Sequence, residues 1–150
     1  MKLKLDVGAT VLLMAAMCTV PLLGQEQAMV SKDAAAVKAA VTNYVEAYYS
    51  GNVALIEKTL HPNYLKHTIS TANGRTRMTE KTGLQMIQDV RHVTPVPVGE
   101  RKEKVTVLDV AGDIASAKLE TPQWVDYVTL TKVDGEWKVL SVVLRLQDES

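Results

Sequence analysis

The spacing of apolar positions changes once along this chain, near residue 100, dividing it into a helical half and a stranded half. From Val37 onward, apolar side chains recur at Ala40, Val41, Tyr44, Val45 and Tyr48. This is the i, i+3, i+4, i+7 spacing of a helix that turns one stripe toward a core. Ser31 or Asp33 is placed to cap it. Ser50-Gly51-Asn52 ends that helix and caps a second over residues 53–60, with Leu55, Ile56 and Leu60 as its buried side. Pro62 stops the second helix after His61, "NYLKHTIS" alternates as a short strand, and Asn73-Gly74 signals a type I′ turn. Thr79 then caps a third helix carrying Leu84, Ile87 and Val90.

The loop "RHVTPVPVGERK" separates this half from one that alternates with period two. Residues 104–110 and 113–120 read as strands joined at Ala111-Gly112, and Thr121-Pro122 leads into a strand over 123–132. Asp134-Gly135 turns the chain back along 136–147. Helices followed by an antiparallel meander give an α+β arrangement.

A two-residue type I′ loop at Asp134-Gly135 pairs Val133 with Glu136 and thereby fixes the faces of the last hairpin. Trp124, Asp126, Val128 and Leu130 share one face with Trp137, Val139, Ser141, Val143 and Arg145. Val125, Tyr127, Thr129 and Thr131 share the other with Lys138, Leu140, Val142 and Leu144. The first face carries both tryptophans and is predicted to take the helices, which turns Asp126 inward. A buried carboxylate is costly to ionise without a partner. Arg145 and Ser141 lie on its two diagonals, a bound molecule is the other candidate, and a slip of one residue would turn Asp126 outward.

Composition narrows the class. The chain has 150 residues, 47% hydrophobic and 23% charged, which suits one globular domain. Its 17 basic and 17 acidic residues balance, so nothing draws it to nucleic acid or an anionic membrane. Lys2 and Lys4 precede an apolar run over residues 7–20, then Pro21 and Leu22-Leu23-Gly24, the order of a secretory signal peptide. Residues 1–24 are therefore expected to be a signal and 25–150 a single domain, exported to the periplasm or the extracellular space and free of the membrane after signal removal. The run is shorter than the ~20 residues of a spanning helix. Cys18, the only cysteine, falls inside the signal, and lipoprotein anchoring there fits less well because Met17 is not small. The mature domain then has no disulfide and no thiolate metal site.

His61, His67 and His92 lack the spacing that places two imidazoles on one ion, so no metal and no cofactor are expected. His61 suits a helix C-terminus, and His67 can reach the mouth of a pocket. Arg101-Lys102-Glu103-Lys104 reads as a solvated entry to a strand. No phosphate loop, nucleophile elbow or nucleic-acid surface is present.

"DYVTL", residues 126–130, followed by "KVDGEWKV", residues 132–139, resembles the NTF2-like superfamily, in particular its lumazine-binding or SnoaL-like branch. "VTNYVEAYYSGN" and "TLHPNY" agree, as does the order of elements over nearly the whole mature chain. The resemblance implies an NTF2-like (cystatin-like) cone: three helices packed on a curved antiparallel sheet, with a pocket at its mouth. It also implies a homodimer through the sheet, here the face of Val125, Tyr127, Thr129, Leu140 and Val142. The branch often reads Asn-Lys where this chain has Ser141-Val142. The expected function is binding of a small, largely apolar organic molecule, with Tyr44, Tyr48, His67, Trp124, Asp126, Ser141 and Arg145 around it. The alternatives are an isomerase, cyclase or hydrolase, with Asp126 as acid or base and Tyr44, Tyr48 or His67 assisting, and a non-catalytic association domain that works through the sheet face. One cone serves many chemistries, so the fold leaves these open.

Overall fold

The structure, a computed structural model, describes residues 22–147, with side chains from residue 32. The expected export signal, with Lys2, Lys4 and Cys18, lies almost entirely outside the described residues. Three helices pack against one face of a curved six-stranded sheet of order β2-β1-β6-β5-β4-β3.

Helix α1 (Leu22–Ser50) runs straight through Ser31 and Asp33 rather than starting there. Asp33 instead ties the helix to the last hairpin, accepting hydrogen bonds from Lys132 Nζ at 2.9 Å and from the Trp137 indole N–H at 3.2 Å. The stripe from Val37 to Val45 is buried as its spacing requires, and Tyr48 is half-buried. Gly51 adopts a φ of +67° at the end of α1, the left-handed turn that lets the Asn52 N–H reach Ala47 O at 2.9 Å. Asn52 then caps α2 (Val53–Thr59) by accepting from Leu55 N–H at 3.0 Å.

The chain departs from the sequence reading after α2. Strand β1 (Leu60–Ala72) begins before Pro62, so His61 is not a helix cap; its Nδ1 accepts from Asn63 N–H. Asn73 and Gly74 form the expected turn with φ of 51° and 72°. The next residues form a second strand, β2 (Arg75–Thr82), which the sequence reading missed because seven of its eight side chains are polar and it has no buried face. Helix α3 (Gly83–His92) consequently starts three residues later than expected. Its N-cap is Thr82, in a reciprocal capping box with Gln85, and not Thr79. Met86 and Val90 are its buried residues, while Leu84 is 68% exposed.

Strands β3 (Lys104–Ala111), β4 (Ile114–Glu120), β5 (Trp124–Val133) and β6 (Glu136–Leu146) form the antiparallel meander. The sheet departs from antiparallel pairing once, where β1 runs parallel to β6 and joins the two halves of the chain. Asp134 and Gly135 take φ of 50° and 80°, and Val133 pairs with Glu136. That register holds to Leu130↔Val139 and then shifts by one residue, so the next pair is Thr129↔Ser141, with Leu140 as the extra residue.

The bulge corrects the face assignment beyond Val139. Val142 and Leu144 turn inward, at 0% and 7% exposure, while Val143 and Arg145 turn outward. Hydrophobic demand explains the shift: in the unbulged register Arg145 would enter the core and Leu144 would leave it. Arg101 also departs from expectation. It is mostly buried, pairing with Glu46 at 2.7 Å and donating to Val96 O, and so pins the proline-rich loop to α1.

Candidate functional site

Asp126 lies inside the cone on β5, fully buried, and among the described residues neither carboxylate oxygen has a hydrogen-bond partner. Its neighbours across the sheet are Leu144 on β6 and Leu119 on β4. The nearest cation comes from β1. Period-two alternation places Tyr64, Lys66 and Thr68 on one side of that strand, and Lys66 pairs in register with Val142 of β6. Reaching diagonally over β6, the Lys66 ammonium stands 3.9 Å from Asp126 Oδ1, and the two side chains are 12% and 1% exposed.

Lys66 Nζ also donates to the Tyr44 hydroxyl at 3.2 Å, and that hydroxyl shares a 2.9 Å hydrogen bond with the Tyr64 hydroxyl. Helix α1 supplies Tyr44, so helix and sheet meet through a hydroxyl pair beside the ion pair. Tyr48, one turn further along α1, packs edge-on to Trp124 at 5.9 Å between ring centroids. A cavity of about 210 Å³ opens over this group. Its walls include Tyr44, Tyr48, Met86, Leu119, Trp124 and Leu144, with Asp126 and Lys66 in its lining and the Lys81–Asp89 ion pair among its outer residues.

Burial dominates the electrostatics. It pushes Asp126 up to about 6, against the opposing pull of Lys66. Burial lowers Lys66, with Asp126 acting in the other direction. It also drives both Tyr44 and Tyr64 far above the ordinary phenol range, so they are neutral hydrogen-bonding groups at physiological pH. The site therefore offers a carboxyl group that titrates near neutrality, an amine, and hydroxyls able to donate or accept, all against apolar walls.

Of the residues singled out from sequence, Tyr44, Tyr48, Trp124 and Asp126 line this cavity. Arg145 does not reach Asp126: it is exposed on the opposite sheet face, opposite Val125. Ser141 pairs with Thr129 just beyond the bulge and is absent from the cavity wall. His67 points away from the cavity, between Lys66 and Thr68 on β1, with Nε2 3.2 Å from Glu80 Oε2. His92 is at the end of α3, its Nδ1 2.7 Å from Gln88 O.

Lys66 and Tyr64 were missed from sequence although the signal was available, since the alternation that makes "NYLKHTIS" a strand puts Tyr64, Lys66 and Thr68 opposite His67. The outer-face set needs one change: Val142 belongs to the core, and Val143, 45% exposed, takes its place beside Tyr127, 56% exposed.

A curved, unclosed sheet packed over three helices is the NTF2-like, cystatin-like fold. Within it, this chain belongs to the family described as "Putative lumazine-binding", whose model matches residues 32–144. Among solved structures it is similar to an NTF2-like protein of unknown function from Silicibacter pomeroyi, with 21% identity, a TM-score of 0.62, and coverage of 78% of this chain and 98% of that one. An NTF2-like protein of unknown function from Shewanella baltica gives 17% identity, TM-score 0.65, and coverage of 79% and 97%. A ketosteroid isomerase-like protein from Erwinia carotovora atroseptica gives 14%, 0.53, and coverage of 79% and 98%. At such identities the likeness establishes the fold alone. No curated protein matches this chain.

Proposed function

We propose that this protein binds a small, largely apolar organic molecule in its cone, with Asp126 as the polar anchor. One observation carries the reading: a carboxylate at 0% exposure, with neither oxygen hydrogen-bonded among the described residues, borders an open cavity. Leaving a buried acceptor unsatisfied costs about 1–3 kcal/mol, and more when it is charged. A ligand with an N–H or O–H group aimed at Asp126 recovers that energy. The cavity of about 210 Å³ exceeds the ~150 Å³ space that holds a benzene ring, and falls below the ~300 Å³ at which drug-sized pockets begin. One or two rings fit inside, and a larger molecule would protrude from the mouth. We assign the protein to an exported compartment on the strength of Lys2, Lys4 and the apolar run that follows. We assign it a homodimeric state on the exposed sheet face of Tyr127 and Val143.

The test is a thermal-shift screen of the chain against one- and two-ring heterocycles and larger polycyclic compounds. Stabilisation by compact ligands bearing a donor, weakened in Asp126→Asn, is the expected result. If no compound shifts the midpoint, or if Asp126→Asn leaves every shift unchanged, the reading is wrong.

A second reading, an enzyme of isomerase, cyclase or hydrolase type, is supported by the titration of Asp126 at about 6, where a carboxyl group can both give and take a proton at neutral pH. The buried Tyr44 and Tyr64 hydroxyls beside it are available to steady a developing oxyanion. Turnover that survives Asp126→Asn would exclude Asp126 as the acid or base of such an enzyme.

A further inference from the structure

We propose that Lys66 is a carbonyl-capturing amine, and that the ligands this cavity takes include small aldehydes or ketones with an apolar body, held as an imine on Lys66 Nζ. The inference rests on the cavity being a ligand site and adds the class of ligand and the bond it forms. Three features of geometry carry it.

The amine is enclosed but not sealed: the Lys66 side chain is 12% exposed, and its end lines the cavity under apolar walls. An amine desolvated in an apolar pocket is the environment in which lysine serves as a nucleophile toward carbonyl carbon. The lowering of Lys66 by burial acts in the same direction, since each unit of lowering raises the free-amine fraction about tenfold.

Lys66 is also not locked in a tight ion pair. At 3.9 Å from Asp126 Oδ1 it stands beyond hydrogen-bond distance, and its one hydrogen bond is to the neutral Tyr44 hydroxyl at 3.2 Å. The surface pair Lys118–Glu120 makes the contrast, with Nζ at 2.6 Å from its carboxylate. The third feature is a proton carrier at the right place. Imine formation needs an acid for the departing oxygen, and Asp126 adjoins the amine and has no competing hydrogen bond.

The step balances within these groups. The Nζ lone pair attacks the carbonyl carbon while the C=O π pair moves to oxygen, which takes the Asp126 proton. The nitrogen gives up one proton to the Asp126 carboxylate, forming a neutral carbinolamine. Asp126 then protonates the hydroxyl, which leaves as water as the nitrogen lone pair forms C=N. The resulting iminium returns its proton to Asp126, so amine and carbonyl yield imine and one water with no oxidant or reductant.

The experiment uses the full chain with limiting benzaldehyde and sodium cyanoborohydride, which reduces the imine to a stable benzylamine, followed by peptide mass mapping. Benzylation at Lys66 faster than at Lys104, which is 76% exposed, is the expected result, because the enclosed amine lines the cavity that holds the aldehyde. Asp126→Asn should slow labelling at Lys66 and leave Lys104 unaffected, and Lys66→Arg should remove the fast phase.

Benzyl alcohol, which cannot form an imine, is tested in parallel by thermal shift. Stabilisation by benzyl alcohol with Lys66 labelled no faster than Lys104 overturns the carbonyl assignment and leaves the binding site standing. Absence of both effects overturns the two together.

Discussion

Lys66 on β1 and Asp126 on β5 face each other 3.9 Å apart across an intervening strand, β6, with no hydrogen bond between them. Their separation in sequence hides the pair. Only the parallel docking of β1 onto β6 brings the amine above the acid.

Stability should fall as pH rises through the titration of Asp126. Its folded value, about 6, lies above the ordinary value of 3.8, so the folded state holds the proton more tightly than the unfolded chain. The associated stability is fully present below about pH 4 and lost as pH passes about 6. Two units correspond to on the order of 2–3 kcal/mol. Urea denaturation at a series of pH values should show this decline, and Asp126→Asn should flatten it and raise the midpoint near neutrality. A wild-type profile that is level over this window would contradict the burial of an ionisable Asp126.

Removing the cation should move the acid. Lys66 opposes the effect of burial on Asp126, so Lys66→Met is expected to carry its titration above about 6. Carbon-detected NMR of the Asp126 carboxyl reads this directly, and an unchanged midpoint would mean that the two groups are not coupled.

The bulge at Leu140 makes opposite predictions for adjacent valines. Val142 is at 0% exposure in the core and Val143 at 45% on the outer face. Val142→Ala should cost about 2 kcal/mol through its lost methyl groups and the void they leave. Val143→Ala should stay within about 0.5 kcal/mol in the monomer. Equal costs at the two positions would argue for the unbulged register.

Thr82 caps the helix whose Met86 forms part of the cavity wall. Thr82→Ala should cost about 1 kcal/mol, and hydrogen exchange at the start of α3 should quicken more than in β5. An unchanged denaturation midpoint would show that the capping box contributes little.

These sites also mark where the sequence was readable. The inward direction of Asp126 followed from the Asp134-Gly135 turn and strict alternation, because the register is regular over the part of the hairpin that sets that face. The partner did not follow. Arg145 was assigned by extending the same register past Leu140, and a bulge leaves no local mark in "VLSVV", where apolar residues occupy both faces. Strand β2 escaped for the opposite reason: with an edge position and no buried face, its residues carry no periodic hydrophobic signal. The helices of the first half were legible wherever an apolar stripe met a glycine or asparagine cap. Lys66 was legible as facing opposite His67, but its meeting with Asp126 is a property of the parallel β1–β6 pairing, which joins residues too distant for any local pattern to report.

That pairing has a consequence for the nascent chain. Strands β1 and β5 each pair with β6, the last of the described strands to leave the ribosome. Until β6 is made, β1 carries its lysine with nothing to dock on, and the acid on β5 lies at an open sheet edge. Non-local pairing of this kind is slow to form. The cavity is therefore assembled only after β6 has emerged, and a translation product halted before residue 136 would have the other described elements of the cone but not the one that brings amine and acid together.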